Sequence, residues 1–114
     1  MESILNSIKN MLGISSEDTT FDTDIIIHIN STLSTLCQLG IGPEEGYRIT
    51  DSDNKWVDFL GEVENVEFVK SYVYMKVRLM FDPPQNSFLV DAIKTQCSEF
   101  EWRMNVAADQ NKEK

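Results

Sequence analysis

Between Val66 and Phe81 the apolar residues recur at a helical period. On a wheel of about 100° per residue, Val66, Val69, Tyr72, Val73, Val77 and Met80 share one arc, extended by Phe68, Met75 and Leu79. The polar strip is narrow: Glu67, Lys70, Ser71, Tyr74 and Arg78. An arc of about 200° is broader than the roughly 100° stripe of a surface helix, so this helix is expected at the centre of the fold, covered on two sides. Val73, Met75, Val77, Leu79 and Phe81 also alternate with polar neighbours, as a strand would. Length decides for the helix, because its period holds for about four turns, longer than most strands. Pro83-Pro84 lacks amide donors and disfavours helical geometry before it, which ends the helix at Asp82. Asn86 or Ser87 then caps the next one.

The same reasoning places the other elements. Ile4, Leu5, Ile8, Met11 and Leu12 form a helical stripe that Gly13 can close in the left-handed conformation. A polar connector, Ser15 to Thr20, follows. Asp22 is expected to cap a second helix, with Phe21 packed on Ile26 as a hydrophobic staple. Ile26, Ile29, Leu33, Leu36 and Cys37 carry its stripe, beside Ile25 and Leu39, and Gly40 ends it. Residues 40–54 read as a long loop, within which Tyr47 to Thr50 has the composition of a short strand. Asp53 or Asn54 opens a short helix that buries Trp56, Val57 and Leu60 and stops at Gly61. Glu64-Asn65 leads into the central helix at about 65–81. The last helix runs to about Asn105, its stripe being Leu89, Ile93, Cys97, Phe100 and Met104, flanked by Val90 and Ala92. The expected fold is therefore all-α: a compact bundle of four to five helices forming one domain, residues 1–105. The polar segment 106–114 is expected to be a flexible tail.

Composition narrows the function. In 114 residues, 41% of them hydrophobic, there is material for a single buried core. A net charge of −9 argues against a nucleic-acid grip, since ten basic residues dispersed among nineteen acidic ones cannot replace a run of counterions. No basic region with an apolar run and cleavage site opens the chain, so no signal peptide is expected. No apolar run approaches a membrane span. Cys37 and Cys97 lack C-x-x-C spacing and read as small core residues in a reducing compartment. His28, the single histidine, has no ligand partners at metal spacing and reads as a packed or boundary residue.

No nucleophile elbow, phosphate loop, zinc helix or dinucleotide turn occurs. Asp51, Asp53 and Glu62 miss the calcium-loop spacing and read as loop acids and caps. Binding surfaces remain. Trp102 and Phe88 fall nearly opposite the apolar stripe of the last helix. Phe88 can fold back on the proline loop. Trp102 either covers another part of the fold or anchors a protein contact, where tryptophan is favoured. Lys76 interrupts the apolar arc of the central helix. Its stem can lie on the core with the ammonium outward, or it can pair with an acidic residue of a neighbouring subunit. Glu99 and Arg103 have the i,i+4 order of an exposed helix pair.

Several stretches together resemble the head–tail connector proteins of tailed phages, the head-completion or DNA-packaging adaptors. They are Phe21-Asp22 before the isoleucine-rich helix, Ile29-Asn30, Leu36 with Leu39-Gly40-Ile41-Gly42-Pro43, Trp56, the run from Tyr72 to Pro84, and Glu101-Trp102-Arg103. The likeness extends from about Asn10 to Met104 and is specific through the combination and order of its pieces. It implies a small helical, non-enzymatic subunit without cofactor or metal. Such a subunit forms a homo-oligomeric ring, twelve-fold in the virion, beneath the portal protein. It extends the DNA channel, through which the genome passes without specific binding, and receives a tail or stopper protein. The implied location is the head–tail interface of the virion, after assembly in the bacterial cytoplasm, with no membrane. The candidate interface residues are Lys76, Arg78, Trp102 and Arg103.

Two other classes differ in what they require. A small acidic DNA mimic that inhibits a DNA-binding protein, or another protein-binding regulator, needs carboxylates in a line, whereas the acids here are spread over caps and loops. A minor enzyme of nucleotide or DNA metabolism needs a tuned nucleophile or base, and no residue offers one.

Overall fold

The computed structural model describes residues 3–61 and 66–112, with side chains through Met104. Five helices follow in order: α1, Ile4–Met11; α2, Asp22–Gln38; α3, Trp56–Leu60; α4, Val66–Phe81; α5, Ser87–Lys112. Among the described residues there is no strand; Ser3 and Lys55 form one isolated antiparallel bridge. The all-α bundle is as expected.

α4 is the centre. It packs against α2, α5 and α1, and Tyr72, Val73 and Val77 are fully buried. Only Glu67 and Met80 along it are exposed. Two residues depart from the wheel. Lys70 of the expected polar strip is buried, with Nζ 3.3 Å from Glu67. Met80 of the expected core is 43% exposed, one residue before the helix ends. The stop itself is as the prolines dictate: α4 ends at Phe81, and the Asp82 amide still donates to the Arg78 carbonyl. Asn86 Oδ1 then accepts from the amides of Phe88 and Leu89, capping α5. Glu64-Asn65, expected to open α4, lies outside the described residues.

α1 is docked through both of its ends. Ser3 caps it by accepting from the Asn6 amide, and the Ile4 amide donates to the Asn54 carbonyl. Trp56, buried as expected, donates from Nε1 to Ser7 Oγ at 3.1 Å. α3 begins one or two residues later than expected. Lys55 is its cap residue, and Asp58 reaches back to the Lys55 amide. Phe59, not Val57 or Leu60, is the second fully covered residue of α3, and its ring lies where any side chain at Gly42 would have to stand. The 40–54 loop forms no strand at Tyr47 to Thr50. Asn30 of α2 holds it instead, accepting from the Ile49 amide and donating to the Ile49 carbonyl. These two bonds satisfy the backbone of a residue that is only 1% exposed.

The start of α2 differs from expectation. Its cap residue is Phe21, with no side-chain cap bond, and Asp22 is the first helical residue. Asp22 is recruited elsewhere: its Oδ1 lies 2.8 Å from Nζ of Lys9, a lysine buried in α1. The ammonium also donates to the Ser16 carbonyl, so one cation fixes the connector and the entry to α2. Phe21, expected to staple onto Ile26, makes its aromatic contact with Phe81, edge to face at 5.5 Å.

α5 lies along α4 with one face only. Cys97 and Met104 are buried, and Ile93 and Phe100 partly so. Leu89, expected in this stripe, is 53% exposed, and Phe88 does not fold back on the proline loop but stands 83% exposed. The helix continues to Lys112, past the expected end near Asn105. The segment expected as a flexible tail is thus helical up to that residue, and 113–114 lie outside the described residues.

The Lys9–Asp22 pair predicts an asymmetry measurable by urea unfolding. Asp22→Ala strands a buried ammonium and should cost about 3 kcal/mol. Lys9→Met keeps the volume and leaves a partly exposed carboxylate in the first turn of α2, where helix amides favour it. It should cost less than about 1.5 kcal/mol. Equal losses would mean that the pair does not act as a buried cation with a required partner.

Candidate interaction surface on α4 and α5

The seam between α4 and α5 is built around one carboxylate. Tyr72 is buried on α4, and its hydroxyl donates to Glu101 Oε2 at 2.6 Å. Lys76, one turn further along α4, brings Nζ to 3.5 Å from the same oxygen. Lys76 and Glu101 are each about a third exposed. Phe100, the residue before Glu101, packs its ring at a tilt on Phe68 at 4.3 Å and approaches Tyr72 at 6.4 Å. Burial, and then the bond to Glu101, push the Tyr72 phenol far above its ordinary value. Burial also raises the Cys97 thiol, one turn before Glu101. Both cysteines are free.

This arrangement explains why a lysine interrupts the apolar arc. Lys76 pairs with Glu101 of its own chain rather than needing an acid from a neighbour. Helical spacing could not show this partner, because it lies 25 residues away on a different helix.

The other candidates are dispersed. Arg78 lies nearly opposite Lys76 around α4 and donates from Nη1 to the Tyr74 hydroxyl at 2.8 Å. Its Nε is buried and has no partner among the described residues. Arg103 pairs with Glu99 on the exposed surface of α5, as the i,i+4 order predicts. Trp102 is 66% exposed, so it covers no other part of the described fold. Trp102 and Arg103 therefore face outward together, while Lys76 belongs to the seam and Arg78 to the far flank of α4.

Two depressions mark the remaining surface. A polar groove of about 740 Å³ separates α2 from the 40–54 loop, lined by Asn30, Ser34, Glu44, Glu45 and Arg48 among others. A second cleft, of about 550 Å³, opens where α1 and α4 end and α2 begins; Leu12, Ile14, Phe21, Asp24, His28, Met80, Phe81 and Asp82 line it. His28 is half-buried against Phe81, with ring centres 6.4 Å apart, which is a boundary position as expected. The second cleft was missed by periodicity, which assigned Met80 to the core and Phe21 to a local staple. Its one sequence signal is the aromatic residue at each helix boundary, Phe21 before α2 and Phe81 at the end of α4. Among the described residues no group of histidine, cysteine and acidic side chains is placed to hold a metal, and no helix is long and apolar enough to cross a membrane.

A helical domain with a closed centre and an outward aromatic face agrees with the comparison against protein families. The model of the phage connector protein family matches residues 4–111, almost the whole length, and the chain belongs to that family. No curated protein and no solved structure matches it. Membership gives a structural connector role in a phage particle and association with other phage head and tail proteins.

The seam makes a prediction for pH. The unfolded phenol ionises near its ordinary value of 10.0, whereas Tyr72 in the fold keeps its proton. The folded value is raised, so this stability is complete below pH 10.0 and is lost as the pH climbs above it. Tyr72→Phe should lower stability by about 1.5 kcal/mol at neutral pH and make the alkaline decline shallower. Urea unfolding from pH 7 to 11 checks both. An unchanged alkaline decline in the variant would remove Tyr72 from the cause.

Proposed function

We propose that this chain is a non-enzymatic, ring-forming subunit at the head–tail junction. In this reading copies dock beneath the portal protein, extend the DNA channel and receive a tail or stopper protein. The ring is twelve-fold in the virion, as the resemblance implies, and it assembles in the bacterial cytoplasm. The observation that carries the reading is α5, in a chain of the connector family: one face packs on α4, while Phe88, Leu89 and Trp102 remain exposed on the rest. Large aromatic side chains left in water are what a protein interface uses as anchors. The charge supports the same role. With a net −9, a channel wall of such subunits would let the genome pass, whereas a basic wall would hold phosphates in a salt-dependent grip.

In a ring each subunit uses two different surfaces, so the contact repeats head to tail and closes on itself. Trp102 and Arg103 are the residues we assign to this contact, with Arg78 on the far flank of α4 a candidate for a separate one. Lys76 contributes through the seam that holds α5 in place. Residues 106–114 form an appendage whose removal spares the domain and weakens attachment to the portal.

Native mass measurement of the chain with purified portal protein tests this. Wild type should give a portal-bound ring. Trp102→Ala should reduce that assembly about tenfold or more, while shifting the melting temperature by less than about 4 °C, as an exposed position does. A variant ending at Asn105 should melt like the wild type and bind the portal less well. A chain that stays monomeric and ignores the portal would contradict the proposal.

A further inference from the structure

We propose that the cleft at the ends of α1, α2 and α4 receives Trp102 and Arg103 of a second copy of this chain. The contact rests on the ring reading above and names the pair of surfaces that closes it.

The cleft has the chemistry of a socket for an aromatic cation-bearing segment. Phe21, Met80 and Phe81 give it apolar walls, and Asp24 and Asp82 supply two carboxylates. Its walls are held open by their own packing: Phe81 takes Phe21 and His28 on its ring, which leaves Phe21 44% and Met80 43% exposed. At about 550 Å³ it lies in the range that encloses a ligand-sized group, enough for an indole and a guanidinium. An occupant must therefore be apolar and flat, with a positive charge beside it.

On the described surface this combination occurs at Trp102-Arg103. Trp102 is 66% exposed and the Arg103 side chain 56%. Phe88, the other open aromatic, has no basic neighbour in its turn. Tyr47-Arg48 has its ring already engaged, packed on Phe59 at 5.4 Å and bonded to Asn54. The present partner of Arg103 is Glu99, an exposed i,i+4 pair of the kind worth only tenths of a kcal/mol. Exchanging it for Asp24 or Asp82 in a drier site is favourable.

One chain cannot make this contact with itself. Trp102 follows Glu101, which is bonded to Tyr72 and Lys76 at the middle of α4, whereas the cleft is at Phe81. Lys76 and Tyr72 stand five and nine residues before Phe81, so roughly 7 to 14 Å of helix at 1.5 Å per residue separate the two levels. Knob and socket are thus separate surfaces of one copy, and neither Trp102 nor Arg103 lines the cleft of its own chain. Joined between copies, they give a heterologous contact, the kind that closes rings rather than two-fold dimers.

Photocrosslinking of the full chain tests the contact. Trp102 is replaced by p-benzoylphenylalanine, the protein is assembled on purified portal protein, and the linked peptides are sequenced. We expect links between copies, from position 102 to Phe21, Met80 or Phe81. Links only to the portal, to another face of the neighbour, or within one copy overturn the pairing even if rings form. Absence of any assembly by the wild-type chain, run in parallel, overturns both the pairing and the ring reading. Charge exchange gives an independent check that leaves the core untouched. Arg103→Glu and Asp82→Lys should each lower assembly about tenfold, and combining them should restore at least half of it. Loss that simply adds in the double variant also overturns the pairing.

Discussion

The fold depends on the enclosure of α4. A chain of 114 residues can stabilise only one core, and here that core is organised around a single helix. Val69, Tyr72, Val73 and Val77 line its buried side, α1 and α2 close over it, and α5 takes the remaining flank. Because only Glu67 and Met80 along the helix are exposed to solvent, most of its polar residues find partners in the fold. Lys76 and Tyr72 share Glu101, and Arg78 turns to Tyr74. A charge buried without such a partner would cost several kcal/mol, and the two contacts to Glu101 fix the register of α5 on α4.

The consequence for function is a division of labour between the two long helices. α4 turns most of its surface to the interior. α5 turns less than half inward, and its remaining surface carries the exposed aromatics. Membership of the phage connector family gives the protein a connector role, and our proposal assigns that surface to its contacts with other proteins of the particle. A rigid seam matters for this use. Trp102 directly follows Glu101, the residue clamped by Tyr72 and Lys76, so the exposed ring is presented from a fixed point of the domain.

Much of this was legible in the sequence, because the governing signals are local. The helical period of 66–81, the double proline, Asn86 at the next cap and Trp56 in the short helix all act within a turn or two of themselves. The departures share a different cause. Asp22 is a good cap by type, but a buried lysine in α1 claims it. Lys70 looks solvated on a wheel, and Leu89 looks buried, because a wheel knows the axis of a helix and not where its neighbours stop. Phe59 was overlooked beside Trp56, since in a five-residue helix there is too little period to rank the positions. The same limit applied to the surface. Exposed Trp102 was visible as a misfit, and the family resemblance followed from ordered motifs. The cleft around Met80 and Phe81 depends on three chain segments meeting, and no single stretch encodes it.

The most direct measurement is an electron cryomicroscopy reconstruction of the portal vertex in filled heads, at a resolution that places side chains. We expect a closed ring of this chain between portal and tail, each copy enclosing its own α4 and meeting its neighbours through the outer face of α5. A vertex lacking the chain, or a ring in which α5 faces solvent and no other protein, would contradict this placement.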